Sequence, residues 1–143
     1  MISKIGETGI QGASLGAYSE IFPNAEIYGA DFERNTLFQE KNIRIYWADQ
    51  MDYESLENLY TSTGSKTFDL IINNGLHLPI ANISILVWEL SKIKPRGWVV
   101  TEDISINSLK IWKITGSLMT KTKYTNYLKQ VSEKGFSSKK VVN

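Results

Sequence analysis

Lys4 to Asp31, KIGETGIQGASLGAYSEIFPNAEIYGAD, is the stretch that decides how this chain is read. Ile2 to Ile5 makes a short apolar run, expected as a first strand. Gly6, Gly9 and Gly12 follow at GxxGxxG spacing, in a loop that also holds Glu7, Thr8 and Gln11. Glycines there permit a tight turn and close approach of a ligand to the backbone. A helix is expected from Ala13 to Phe22, because Leu15, Tyr18, Ile21 and Phe22 share one helical face. Pro23 and Asn24 end it. Glu26 to Asp31 is then a nearly continuous apolar run, as in a parallel strand covered on both faces. Asp31 closes that strand at its C-terminal end, where open α/β sheets bind ligands. Strand, glycine turn, helix and acid-tipped strand are half of a nucleotide-binding crossover unit, with Asp31 placed for ribose hydroxyls. The glycine spacing departs from GxGxxG and so argues against a nicotinamide dinucleotide.

The rest of the chain continues the pattern. Arg34 to Lys41 reads as a short helix or turn. Ile43 to Ala48 (IRIYWA) is a third strand ending on Asp49-Gln50. Asp52 suits the N-cap of a helix from Tyr53 to about Tyr60, with Leu56 and Leu59 inward. Phe68 to Asn74 (FDLIINN) is the clearest strand, running into Gly75-Leu76-His77. Pro79 opens a helix with Ile80, Ile83, Val87 and Leu90 on one stripe. Lys92, Lys94, Pro95 and Gly97 mark its end. Trp98 to Thr101 is a fifth strand, ending on Glu102-Asp103. Four strand ends thus deliver polar side chains to one expected sheet edge: Asp31, Asp49-Gln50, Asn73-Asn74 with His77, and Glu102-Asp103. Beyond Ile104, helices are expected over Ile106 to about Leu118 and Lys121 to about Glu133, capped by Gly135. A short edge strand or frayed end is expected at Phe136 to Val142.

Composition narrows the chemistry. The 143 residues suffice for a single domain, 1–143, made of a core over 1–104 and a basic, mainly helical tail over 105–143. The absence of cysteine excludes disulfides, thiolate nucleophiles and cysteine–zinc sites. No apolar run is long enough for a membrane span, and a cytoplasmic location is the default expectation. Charge is uneven. Residues 1–103 hold 8 Lys and Arg against 14 Asp and Glu, and residues 104–143 hold 8 Lys against Glu133 alone. The tail lysines are spread out and no recognition motif accompanies them, so a solvated face is preferred to a nucleic-acid contact.

Taken together, Ile5 to Leu15, Phe22 to Asp31, Ala48 to Gln50, Phe68 to His77 (FDLIINNGLH) and Lys94 to Asp103 (KPRGWVVTED) resemble the core of class I S-adenosylmethionine-dependent methyltransferases. Within that class the chain is most similar to the magnesium-dependent sugar O-methyltransferases of macrolide pathways, over about residues 2–104. The resemblance implies a Rossmann-like open parallel sheet of about five strands, in order 3-2-1-4-5, with helices on both faces. It implies that Gly6, Glu7, Gly12, Ser14 and Leu15 line the methionine part of the cofactor. Asp31 would bind the ribose diol, with Phe32 beside the adenine. Asp49 and Gln50 would reach the adenine edge, and Asn73 would complete the pocket. Asn74, Glu102 and Asp103 stand at the positions of the Mg²⁺ ligands, and His77 at that of the proposed base. The implied partner is a small hydroxylated acceptor, a sugar.

Three features depart from that pattern. Asn74 stands where the family has a carboxylate, which removes a negative charge from the metal site. Lys4 stands where an acid usually ends the first strand. The chain also reads as shortened at both ends, with uncovered sheet edges that would favour self-association. The competing expectation is therefore a degenerate relative that binds cofactor or partner without catalysis. A nucleic-acid methyltransferase ranks below both, because Asn73-Asn74-Gly75-Leu76 stands where a base-flipping motif would be.

Overall fold

A computed structural model of the chain describes residues 12–120, 128–132 and 135–139. The chain forms two compact units, Met1–Asp103 and Ile104–Asn143. Both are described separately.

In the first unit the parallel pairings set the architecture. β1 (Ile27–Asp31) pairs with β3 (Ile43–Trp47) in parallel, from Ile27 opposite Ile43 to Asp31 opposite Trp47. β2 (Gln39–Glu40) adds a short antiparallel edge to β3. Arg34–Thr36, ahead of it, is a single 3₁₀ turn. β4 (Phe68–Asn73) pairs in parallel with β5 (Ile93–Thr101), with Asn73 opposite Thr101. These are the 3-2 and 4-5 neighbours of the expected order. The expected first strand, Ile2 to Ile5, lies outside the described residues, and so do its pairings. The described part of this unit is therefore a mixed α/β arrangement with open sheets of three and two strands.

Helices pack on these strands for local reasons. α1 (Ala13–Ile21) starts at Gly12, which adopts a left-handed φ of 72°. The α1 residue Leu15 lies directly over Gly29 of β1, where an added Cβ would come within 2.7 Å of its Cδ1. α2 (Tyr53–Ser62) is capped as expected: the Asp52 side chain accepts from the Glu54 N–H at 3.0 Å. α3 (Pro79–Lys92) has Pro79 in its first turn. Trp88 on α3 donates its indole N–H to Glu57 on α2 at 2.7 Å, and Lys92 Nζ lies 3.0 Å from the same carboxylate. Lys92 and Trp88 hold the Glu57 carboxyl below its usual range. Lys92 also sits 4.1 Å from the Tyr60 ring centre, so the two helices are joined by an ion pair, an indole bond and a cation–π contact. Ile43, Ile45, Ala48, Leu56, Ala81 and Leu86 are buried in the core.

Two boundaries differ from expectation. β5 begins at Ile93, not Trp98, and follows α3 without a loop. Pro95 has no N–H for the ladder, and the register shifts between Phe68 and Leu70, so Lys94 to Gly97 form an irregular stretch inside the strand. In the second unit, Ile106–Ser108 forms a 3₁₀ turn that leads into α4 (Leu109–Thr120). The expected second tail helix is corrected over its last part. Residues 128–132 form β6 (Leu128–Ser132), which pairs antiparallel with β7 (Gly135–Lys139). A glycine just past a helix and a glycine that opens a paired strand look alike in sequence, and here the ladder wins. Among the described residues, no helix is long and apolar enough to cross a membrane.

Glu89 on α3 is the outlier of the core. It is 1% exposed, and its Oε2 has no hydrogen-bond partner. Burial alone pushes its carboxyl from 4.5 up to about 8. Between those values the unfolded chain has lost a proton that the folded protein keeps. Stability therefore falls as pH rises through that window, by at most about 1.4 kcal/mol per pH unit. Glu89→Gln is expected to flatten this fall between about pH 5 and 8 and to raise stability at pH 8 by a few kcal/mol, of order 2–4. Urea denaturation at a series of pH values measures it.

Candidate functional site

Parallel neighbours end on the same edge, so β1 with β3, and β4 with β5, carry their C-terminal residues to a common side, the side on which open α/β sheets bind ligands. At the end of β1, Asp31 is 6% exposed and its Oδ1 accepts from the Glu33 N–H at 2.9 Å. This is an Asx turn, which holds the carboxylate still. Phe32 is 64% exposed. Its carbonyl accepts from the Trp47 indole at 2.9 Å, and the two rings lie 6.3 Å apart at 41°. Arg34 covers the Trp47 ring at 4.4 Å. The backbone N–H of Ala48 donates to the Asp31 carbonyl at 3.0 Å, extending the ladder past the strands.

At the end of β3, the Asp49 N–H donates to Ser55 Oγ at 2.9 Å, and Asp49 Oδ1 accepts from the Met51 N–H at 2.9 Å. Gln50 reaches across to the loop after β4. Its Oε1 accepts from the Leu76 N–H at 2.9 Å, and its Nε2 donates to Asn82 Oδ1 at 3.4 Å. The Gln50 carbonyl, expected at the adenine edge, is thus committed to tying two loops together. Gly75 makes that possible, because any Cβ there would collide with the Gln50 carboxamide.

At the end of β4, Asn73 is buried and accepts from the Gly75 N–H at 3.1 Å, while its Nδ2 has no hydrogen-bond partner. The Glu102 N–H donates to the Asn73 carbonyl at 2.9 Å, which brings the β5 end alongside. Asn74 Nδ2 donates to Glu102 Oε2 at 3.1 Å. His77 and Asp103 both adopt left-handed backbone, with φ of 55° and 52°. For non-glycine residues this conformation costs about 1 kcal/mol and gathers at functional loops. The buried Nδ1 of His77 has no hydrogen-bond partner, so that nitrogen is not committed as a structural donor.

The structure therefore joins Asn73 and Asn74 to Glu102 by hydrogen bonds, ties Gln50 to Leu76 of the adjoining loop, and places Asp31, Phe32 and Asp49 at the ends of β1 and β3. Gly6 and Glu7 lie outside the described residues, as does Lys4. Ser14 is exposed in the first turn of α1. Leu15, expected to line the cofactor, packs on Gly29. Gly12 is buried, and an added Cβ would meet the Phe38 ring at 2.7 Å. The sequence reading missed the Arg34–Trp47 shelf beside Phe32, although the Tyr46-Trp47 pair ahead of Asp49 marked it. It also missed the steric need for Gly75. A separate groove of about 350 Å³ lies between α2 and α3, lined by Gln50, Tyr53, Leu56, Ile85, Trp88 and Ser91.

A divalent cation does not suit the donors at Asn74, Glu102 and Asp103. Asn74 turns its amide nitrogen, not its oxygen, towards Glu102. Among the described residues no three acidic or histidine side chains gather into a metal-holding group.

Comparison with known proteins points to a class and then to one relative. Over part of its length the chain is distantly related to an O-methyltransferase. It is 30% identical over 93 residues to the mycinamicin VI 2''-O-methyltransferase of Micromonospora griseorubida. The match covers 65% of this chain and 23% of that protein, so the chain spans about a quarter of its relative's length. No protein-family model and no solved structure matches the chain.

Gly75→Ala is expected to dislodge Gln50 from the Leu76 N–H and loosen both loops. Stability should fall by about 1–3 kcal/mol, read by chemical denaturation. Faster hydrogen exchange at Leu76 would mark the lost bond.

Proposed function

We propose that the first unit is the cofactor-binding core of an S-adenosylmethionine-dependent O-methyltransferase whose acceptor is the hydroxyl of a small molecule, a sugar. One observation carries the reading. The acid-tipped end of β1 is fastened by the Ala48 bond to the β3 end, and the β3 end is fastened by Gln50 to the loop after β4. That is a built set of strand ends, carrying a buried carboxylate, an exposed aromatic ring and an unmet buried amide. The partial similarity to a sugar O-methyltransferase supports the reaction class.

In this reading S-adenosylmethionine supplies the methyl group, which transfers by in-line displacement to an oxygen. The work of the chain is to position and to take a proton. Asp31 accepts from the ribose diol. Phe32 and the Trp47 shelf flank the adenine, and Asp49 stands at its edge. The free Nδ2 of Asn73 donates to the cofactor. Gly6, Glu7, Gly12 and Ser14 approach its methionine part, while Leu15 and Gln50 act as supports behind the contact surface. His77 is the base for the acceptor hydroxyl, and no step needs a metal.

Calorimetric titration with S-adenosylhomocysteine tests the binding half. Micromolar affinity is expected in the native chain, with a loss of about tenfold or more in Asp31→Ala, the cost of a charge-assisted hydrogen bond. His77→Ala should bind unchanged but lose about 10²–10⁴ of methyl transfer to a sugar hydroxyl. A folded chain that binds neither cofactor nor product would overturn the proposal.

A further inference from the structure

Glu102 is held by a neutral partner. An ionised carboxylate only accepts hydrogen bonds, so Asn74 must offer its NH₂ group to Glu102 Oε2 and turn its carbonyl away. A Mg²⁺ ion shared by these two side chains would need the opposite arrangement. It would need the amide oxygen facing the same point as the carboxylate, with near-octahedral oxygen ligands at about 2.1 Å. The NH₂ hydrogens occupy that direction instead. Asp103 supplies one more carboxylate from the adjacent residue, yet no third acidic or histidine side chain joins it among the described residues. Replacing a carboxylate by an amide also removes a charge, the quantity that most strongly sets affinity for a hard cation.

We propose that this site works without a divalent cation, with the Asn74 amide fixing Glu102 where the resembled enzymes hold Mg²⁺ between acids. Glu102 is exposed, and its second oxygen remains open to a hydroxyl of the acceptor. Recognition then passes through hydrogen bonds alone, and proton removal rests on a side-chain base without Lewis-acid help. The consequence for catalysis rests on the methyltransferase reading. The test does not, because it reads cation binding and not turnover.

Mn²⁺, a paramagnetic substitute for Mg²⁺, is titrated into the full chain and its free signal followed by electron paramagnetic resonance. The native chain is expected to show no saturable site tighter than about 1 mM, the weak end of protein-bound cations. Asn74→Asp should gain a site at least about tenfold tighter, and the double variant Asn74→Asp/Glu102→Gln should lose it. Two results overturn the proposal. One is a saturable site in the native chain that disappears in Glu102→Gln. The other is a folded Asn74→Asp protein that still binds nothing, since the amide would then not be what keeps the cation out. The native and Glu102→Gln arms stand even if Asn74→Asp does not fold. Unchanged S-adenosylhomocysteine affinity in the same samples separates failure here from failure of the cofactor reading.

Discussion

Parallel pairing is the constraint on which the rest depends. Two parallel pairs, β1 with β3 and β4 with β5, bring their strand ends to a common side within each pair. Those ends carry the polar residues, while the strands themselves are largely apolar. Once the strands are parallel, the residues after them have to be reconciled with one another. The Ala48-to-Asp31 bond, the Gln50-to-Leu76 bond and the Glu102-to-Asn73 bond do this in turn. Gly75 is required by the second of these contacts, because the Gln50 carboxamide fills the space of a side chain. The α2–α3 clamp through Glu57, Trp88 and Lys92 then holds Asn82 beside Gln50 from behind.

Much of this was legible in the sequence, for identifiable reasons. Asp52 and Pro79 announce helix starts because a cap oxygen and a missing N–H have few other uses there. The apolar runs ending in Asp31, Gln50, Asn73 and Glu102 announce parallel strands, although Leu70, Trp98 and Val100 leave β4 and β5 exposed on part of their surface among the described residues. Other features were not legible. Gln50 looks like any polar loop residue, and its use as a tie depends on a partner 26 positions away. Leu15 follows the glycine loop closely enough to suggest a ligand contact, but the bare face of Gly29 takes it instead. The strand at Leu128–Ser132 was hidden because a hairpin is decided by its pairing with 135–139, and local composition does not reveal that. Glu89 was equally hidden, since the expected stripe is exposed at Ile80 and Val87 and α3 instead buries Ala81, Asn82, Leu86, Trp88 and Glu89.

The chemistry divides along the same lines. The β1–β3 side offers a fixed carboxylate and an aromatic shelf, to which the proposed reading assigns the nucleoside. The β4–β5 side offers amides, a carboxylate and an uncommitted imidazole nitrogen, to which the proposed reading assigns the acceptor hydroxyl and its proton. The change from acid to amide at Asn74 alters the second side and leaves the first untouched. In the proposed reading, cofactor binding and independence from a cation therefore rest on separate sides of the edge and can be tested apart.

The central claim is that these strand ends form a nucleoside-binding edge. Nuclear magnetic resonance titration of the isotope-labelled chain with S-adenosylhomocysteine tests it most directly. The account predicts saturable shifts at the Phe32 amide, the Trp47 indole N–H and the Asn73 side-chain amide, with smaller ones at Leu76. No shifts in a folded sample, or shifts confined to Tyr53 and Trp88 in the α2–α3 groove, would contradict it.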